Sequence, residues 1–232
     1  GWWMPNQRSQ ATIIWVHGLD STRDSKMDLI SDMYQSGYSI FAFDLRGHGE
    51  SDTVPMGAGV HEHRDMLGAI SVAKLKSPQK PIILFGVSFG GALVILAGDD
   101  DPLIKGVVSD SSFASIPELI EEEVSARTSM PEWGAGLLKP SIIFAAKWFK
   151  NADISKVSPA NGVSKLKFPI ALIHCKDSER VPFSHAQRIL ASAPQGTDTL
   201  FISGCDHAKG YDETPKEYVK FVLDYIDSRL LH

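Results

Sequence analysis

The stretch Pro81-Ile82-Ile83-Leu84-Phe85-Gly86-Val87-Ser88-Phe89-Gly90-Gly91-Ala92-Leu93-Val94-Ile95-Leu96-Ala97 changes character twice. Residues 81–85 are a short apolar run of the kind that makes a fully buried strand, and residues 92–97 suit an apolar helix. Between them a serine stands among glycines. Gly86-Val87-Ser88-Phe89-Gly90 is therefore a Gly-x-Ser-x-Gly turn in the strand–turn–helix setting that a nucleophile elbow requires. A serine at such a turn takes a strained backbone conformation, and the residues two before and two after it must be small for strand and helix to pass. Gly86 and Gly90 meet that demand. The turn lifts the Ser88 hydroxyl above the carboxyl edge of a parallel sheet, beside helix N–H groups that favour developing negative charge.

Working outward, apolar strand runs alternate with amphipathic helical runs. Strands are predicted at residues 11–16, 38–43, 104–110, 170–174 and 199–202, and helices at about 26–35, 62–75, 184–193 and 215–230. Such alternation predicts an α/β fold with a doubly wound, mainly parallel sheet, whose ligand site lies beyond the carboxyl ends of the strands. The rhythm pauses between residues 113 and 158. An acidic amphipathic helix at 117–127 is followed by a broken helical stretch carrying Trp133, Leu137, Leu138, Ile142, Ile143, Phe144, Trp148 and Phe149. This segment is read as a small helical cap insertion at about 113–158 within one domain spanning 1–232, the alternative being two ordinary packing helices.

The 232 residues carry a formal net charge of −5 with the charges interspersed, so neither a nucleic-acid nor a membrane-surface footprint is expected. No apolar run is long enough to span a bilayer, and no secretory signal opens the chain. The opening Gly1-Trp2-Trp3-Met4-Pro5 reads like the middle of a strand, so a preceding anchor or signal stays an open question. The expected partner is a small molecule. Cys175 and Cys205 are too few for a disulfide framework; they are read as free, half-buried thiols in a reducing, cytoplasmic setting, with a bridge as the lesser alternative. Neither a metal nor an organic cofactor is expected, since no ligand-spaced His/Cys/Asp cluster and no phosphate loop is present.

A serine hydroxyl needs a base to take its proton, and the base needs a third group to fix its tautomer. His207, in Gly204-Cys205-Asp206-His207-Ala208 after the last strand, is the candidate base. His17 and His48 sit in glycine loops with structural roles, His174 reads as a hydrogen-bonded histidine at a strand end, and His61, His63, His185 and His232 read as helix or surface residues.

With these motifs in this order the chain resembles the α/β-hydrolase superfamily. It is similar to the small single-domain serine esterases, with a likeness to the prolyl oligopeptidase catalytic domain. The resemblance runs through the His17-Gly18 loop, the Asp44-x-Arg46-Gly47-His48-Gly49-x-Ser51 loop, the Ser88 elbow, Val181-Pro182 and His207. It implies Ser88 as nucleophile, His207 as general base and the backbone N–H groups of Leu19 and Phe89 as oxyanion hole. It also implies a structural role for residues 44–51. One departure stands out. Where the family reads His-Gly-x-x-Asp-x-x-Val-Pro, this chain reads His174-Cys175-Lys176-Asp177-Ser178-Glu179-Arg180-Val181-Pro182, which places Ser178 where the acid belongs. Three assignments are open: Asp177 reaches the base through a shifted loop, which is preferred; Asp110 serves after the strand that follows the elbow helix; or no acid is present.

The implied function is a serine hydrolase, a carboxylesterase acting on small to medium acyl esters. A thioesterase or peptidase would use the same residues. A hydrolase-fold protein that binds a small ligand without turnover is the alternative from another class.

Overall fold

A computed structural model describes residues 1–128 and 131–231 of the chain. Seven strands form one sheet in the order β1-β3-β2-β4-β5-β6-β7. They are β1 (Trp2–Met4), β2 (Thr12–Val16), β3 (Ser39–Phe43), β4 (Ile82–Val87), β5 (Ile104–Asp110), β6 (Ala171–Cys175) and β7 (Asp198–Ile202). All neighbouring pairs are parallel except β1 against β3, which places the Trp2-Trp3 opening antiparallel on one edge.

Both faces of the sheet are covered, which is why its central strands read as unbroken apolar runs. Side chains alternate along a strand. Ile13, Trp15, Ile83 and Phe85 pack towards Leu29, Ile30 and Met33 of α1 (Met27–Gln35) and Tyr218, Val222 and Tyr225 of α9 (Pro215–Leu230). Ile14, Val16 and Leu84 face the opposite layer, built on α2 (His63–Lys76), α3 (Phe89–Leu96) and α7 (Phe183–Ser192). The doubly wound α/β fold expected from the alternation is present.

Between β5 and β6 stand α4 (Ile116–Thr128), α5 (Glu132–Lys150), one 3-10 turn at Ile154–Lys156 and α6 (Pro159–Val163); α8 (Gly210–Glu213) precedes α9. The periodicity did not reveal α6 or α8, which are each about a turn long. Ser158 nevertheless caps α6 by accepting from the Asn161 N–H at 3.2 Å, and Pro159 begins it, a legible start signal. The stretch expected to be broken between residues 133 and 149 is one helix, α5, with Pro140 inside it. Ile143 and Ala146 pack on the core, whereas Leu137, Phe144, Trp148 and Phe149 are exposed on the outside. The side chain of Trp133, like His232, lies outside the described residues.

The expectation of two free thiols is overturned. Cys175, ending β6, and Cys205, just after β7, form a disulfide with Cα atoms 5.3 Å apart. The two cysteines fall at the ends of neighbouring late strands, and the parallel register that pairs Cys175 with Ile202 brings them within bridging distance, which the sequence alone does not give. The bridge also removes the ground on which a reducing compartment was expected. It spans a sequence separation of 30, and for a loop of that length the unfolded-chain entropy model gives about 3–4 kcal/mol. The Cys175→Ala/Cys205→Ala variant is expected to melt roughly 7–15 °C lower than the parent. An unchanged Tm in calorimetry would contradict that contribution.

Among the described residues no helix is long and apolar enough to cross a membrane.

Candidate active site

Ser88 occupies the turn between β4 and α3 with φ 55° and ψ −116°, a backbone conformation that side chains seldom adopt. The surrounding structure holds it there: the Ser88 N–H donates to the Asp110 carbonyl at 2.7 Å. A Cβ on Gly86 would lie 2.1 Å from the Gly90 carbonyl oxygen, and one on Gly90 would lie 2.2 Å from the Val16 carbonyl oxygen. The elbow therefore requires glycine at both positions, as expected from the sequence.

The β7–α8 loop returns His207 to this turn. Its Nε2 lies 2.8 Å from Ser88 Oγ, within hydrogen-bond reach for a proton to pass between them. On the other side of the ring, Nδ1 lies 3.3 Å from the hydroxyl oxygen of Ser178, in the β6–α7 loop. Ser178 is 6% exposed, and its oxygen also accepts from the Val181 N–H at 3.2 Å. A hydroxyl thus occupies the place of the third group.

Neither candidate acid is there. Asp177 is exposed, and its Oδ2 accepts from the Gly204 N–H at 2.6 Å, bracing the start of the His207 loop. In this tight loop the neighbouring side chains 177 and 178 diverge, one outward and one inward. The preferred expectation, a shifted loop that carries Asp177 to the base, is corrected on this geometry. Asp110 lies buried at the end of β5, where it accepts from the Ser111 hydroxyl and, at 2.8 Å, from the Tyr218 hydroxyl. Burial pushes its carboxyl up to about 6 against the pull of those two donors. Ser111 in turn accepts from the Ala208 N–H at 3.2 Å, so Asp110 braces the histidine loop from behind without touching the imidazole. Asp206 accepts from the Glu179 N–H at 3.3 Å.

With no carboxylate against it, His207 is a weak base. Burial above all, then the positive charge of Arg180 and the neighbouring His174, lower its pKa to about 4.

Most of the remaining histidines are structural. His17 Nδ1 donates to the Gly18 carbonyl at 2.7 Å while Nε2 accepts from the Leu45 N–H at 3.0 Å. His48 accepts from the Asp20 N–H at 3.2 Å and donates to the Arg46 carbonyl at 3.0 Å. Together they tie the loop after β2 to the loop after β3. Asp44 anchors the latter by accepting from the Arg23 and Glu50 N–H groups and pairing with the Arg23 guanidinium. His174 donates to the Val181 carbonyl at 3.0 Å. His185, read as a helix or surface residue, does lie on α7 but is fully buried, accepting from the Ala114 N–H and paired with Glu122 of α4. It pins the α4 segment to α7, a contact between elements that share no local sequence signal.

Leu19 and Phe89 both border Ser88, and neither backbone N–H donates to another described residue. Phe89 begins α3, where first-turn N–H groups lack intrahelical partners. Beyond them opens a pocket of about 400 Å³, walled by Met56, Phe113, Ile116, Leu119 and Val181, with Arg180 and Glu123 as its charged members. Ile116, Leu119 and Glu123 belong to α4 or its start, so the segment inserted between β5 and β6 forms part of the wall. A larger surface groove of about 670 Å³ runs between α1 and α9, but it holds no nucleophile and base pair. Sequence reasoning missed Arg180, whose signal was its place between Ser178 and Val181 in the loop that carries the acid position.

The family model described as serine aminopeptidase, S33 (Hydrolase_4) matches residues 7–159. Among curated proteins, the uncharacterized protein YfhR of Escherichia coli is 27% identical over 240 residues, covering 99% of this chain and 76% of that protein. The lysophosphatidylserine lipase ABHD12 of Danio rerio is 26% identical over 200 residues, covering 82% of this chain and 49% of that protein. Among solved structures, the Pyrococcus furiosus esterase Pf2001 superposes with a TM-score of 0.79 at 22% identity, covering 99% of this chain and 87% of that one.

Proposed function

Because the chain belongs to the serine aminopeptidase S33 family of α/β-hydrolases, we propose that it is a serine hydrolase acting on carboxylic esters, with Ser88 as nucleophile and His207 as base. The observation that carries this reading is the 2.8 Å approach of His207 Nε2 to Ser88 Oγ on a strained elbow at the floor of an apolar pocket. In the proposed cycle His207 takes the Ser88 proton as Oγ attacks the acyl carbon. The Leu19 and Phe89 N–H groups hold the oxyanion, and His207 passes its proton to the departing alcohol. Water, deprotonated by the same imidazole, then cleaves the acyl-enzyme, releasing the acid and returning Ser88.

The wall of Met56, Phe113, Ile116 and Leu119 suits an apolar acyl group, and α4 serves as the part of the cap that lines it. No step requires a metal or organic cofactor. Incubation with short-chain 4-nitrophenyl esters tests the proposal: the expected result is a burst of nitrophenol and an acyl adduct on the peptide containing Ser88. Ligand-induced stabilisation with neither adduct nor turnover would instead favour a binding protein.

The depressed basicity of His207 has a readable consequence. The base must be neutral to act, and a pKa lowered from 6.5 to about 4 keeps it neutral through mild acid. The value of kcat/KM is therefore expected to persist below pH 6 and to fall as the pH drops through about 4. An acid limb centred near 6.5 in the pH–rate profile would contradict the burial and charge environment assigned to His207.

A further inference from the structure

The pocket brings together two features that neither the elbow nor the base explains. Arg180 lines it beside Ser88, and its guanidinium makes no ion pair with another described residue. The carboxylates nearest in sequence are turned elsewhere: Asp177 to the Gly204 N–H, and Asp206 to the Glu179 N–H. Glu123, the pocket's acidic member, stands on α4 and has a partner of its own. Meanwhile the imidazole of His207 has only the neutral Ser178 hydroxyl on its Nδ1 side. An exposed positive side chain with no ion pair among the described residues thus lines the pocket that opens on Ser88, whose base must itself become positive during the reaction. Each charge opposes the other, consistent with the lowered basicity of His207 in the presence of Arg180.

An anion seated on Arg180 relieves both problems. It supplies the guanidinium with a charge-assisted hydrogen-bond partner and places negative charge near the forming imidazolium. The wall of Met56, Phe113, Ile116 and Leu119 takes the apolar acyl chain, which leaves the alcohol portion of the ester to carry the anion that meets Arg180. We propose that Arg180 binds an anionic group on the alcohol portion of the substrate, so that this pocket selects esters combining an apolar acyl chain with a carboxylate or phosphate. This deepens the ester-hydrolase reading and rests on it.

The experiment compares three water-soluble butyryl esters that differ in charge: those of glycerol, glyceric acid and glycerol 3-phosphate, with butyrate release followed by NMR. One charge-assisted contact predicts that kcat/KM for an anionic ester exceeds that for the glycerol ester by roughly tenfold. Preference for the glyceric acid ester alone identifies a carboxylate reader, and preference for the phosphate ester a phosphate reader; either supports the proposal. The ratio is expected to collapse towards unity in Arg180→Gln and to return in part in Arg180→Lys. A change common to all three esters cancels in that ratio, so general damage to the site does not imitate the result. Equal rates on the three esters in the parent protein, or a ratio unmoved by Arg180→Gln, would overturn the assignment while leaving ester hydrolysis intact. Absence of turnover on all three, with no acyl adduct at Ser88, would overturn the hydrolase reading and this inference with it.

Discussion

The Ser178→Asp variant is expected to hydrolyse 4-nitrophenyl butyrate faster than the parent, by between about 10² and 10⁴ in kcat. The site is already shaped for the change. Ser178 Oγ lies 3.3 Å from His207 Nδ1, so the carboxyl carbon of an aspartate would take its place and send an oxygen towards the ring nitrogen. The Val181 N–H, 3.2 Å from the same atom, would provide a second donor to the carboxylate. An ionised acceptor does two things that a hydroxyl does not: it holds the imidazole in the tautomer with Nε2 free, and it stabilises imidazolium as that forms. In serine proteases, loss of the acid alone costs roughly 10⁴ in kcat, which sets the upper bound on what restoring it returns. A second readout separates this mechanism from better folding. The new negative charge raises the His207 pKa, so the acid limb of the rate profile should move upward from about 4. Faster turnover without that movement would point to another cause.

Ser88→Ala is expected to lower kcat on the same ester by only roughly 10²-fold in the parent background, and far more in the Ser178→Asp background. The asymmetry follows from how such groups act together. Where the acid is already missing, most of the benefit of the nucleophile and base is already lost. In subtilisin, removing the nucleophile costs about 2 × 10⁶ and removing the acid about 3 × 10⁴, which leaves a further factor near 10². Fold stability should be preserved or slightly improved, because alanine removes a hydroxyl but keeps the strained φ of 55°. Additive losses, equal in the two backgrounds, would mean that residue 178 and Ser88 do not act through a shared histidine.

Much of the fold was legible because its two periodicities are strong. The buried runs at 81–85 and 170–174 could belong only to a sheet covered on both faces, and the glycines around Ser88 pointed to a turn in which the structure leaves no room for a Cβ. His207 could be assigned since it follows the last strand, and that position does not depend on fine loop geometry. The acid could not be settled in the same way. Asp177 and Ser178 are one residue apart, and which of them faces the ring depends on the path of the β6–α7 loop, braced here by the Gly204 and Val181 N–H groups. His185 was legible as a helix residue, but its burial was not, because its partners, Ala114 and Glu122, lie far away in sequence. The Cys175–Cys205 bridge escaped for a similar reason, since it depends on strand register across the sheet edge. The Arg180 environment is likewise a property of the folded pocket.

The central claim is that Ser88 and His207 form a working nucleophile and base, and it can be tested without knowing the substrate. The protein is treated with a fluorophosphonate at neutral pH and digested, and the peptide carrying Ser88 is weighed alongside those of Ser88→Ala and His207→Ala. The account predicts a phosphonyl adduct on that peptide in the parent and none in either variant. An unlabelled Ser88 peptide in the parent, or a label that persists when His207 is removed, would contradict it.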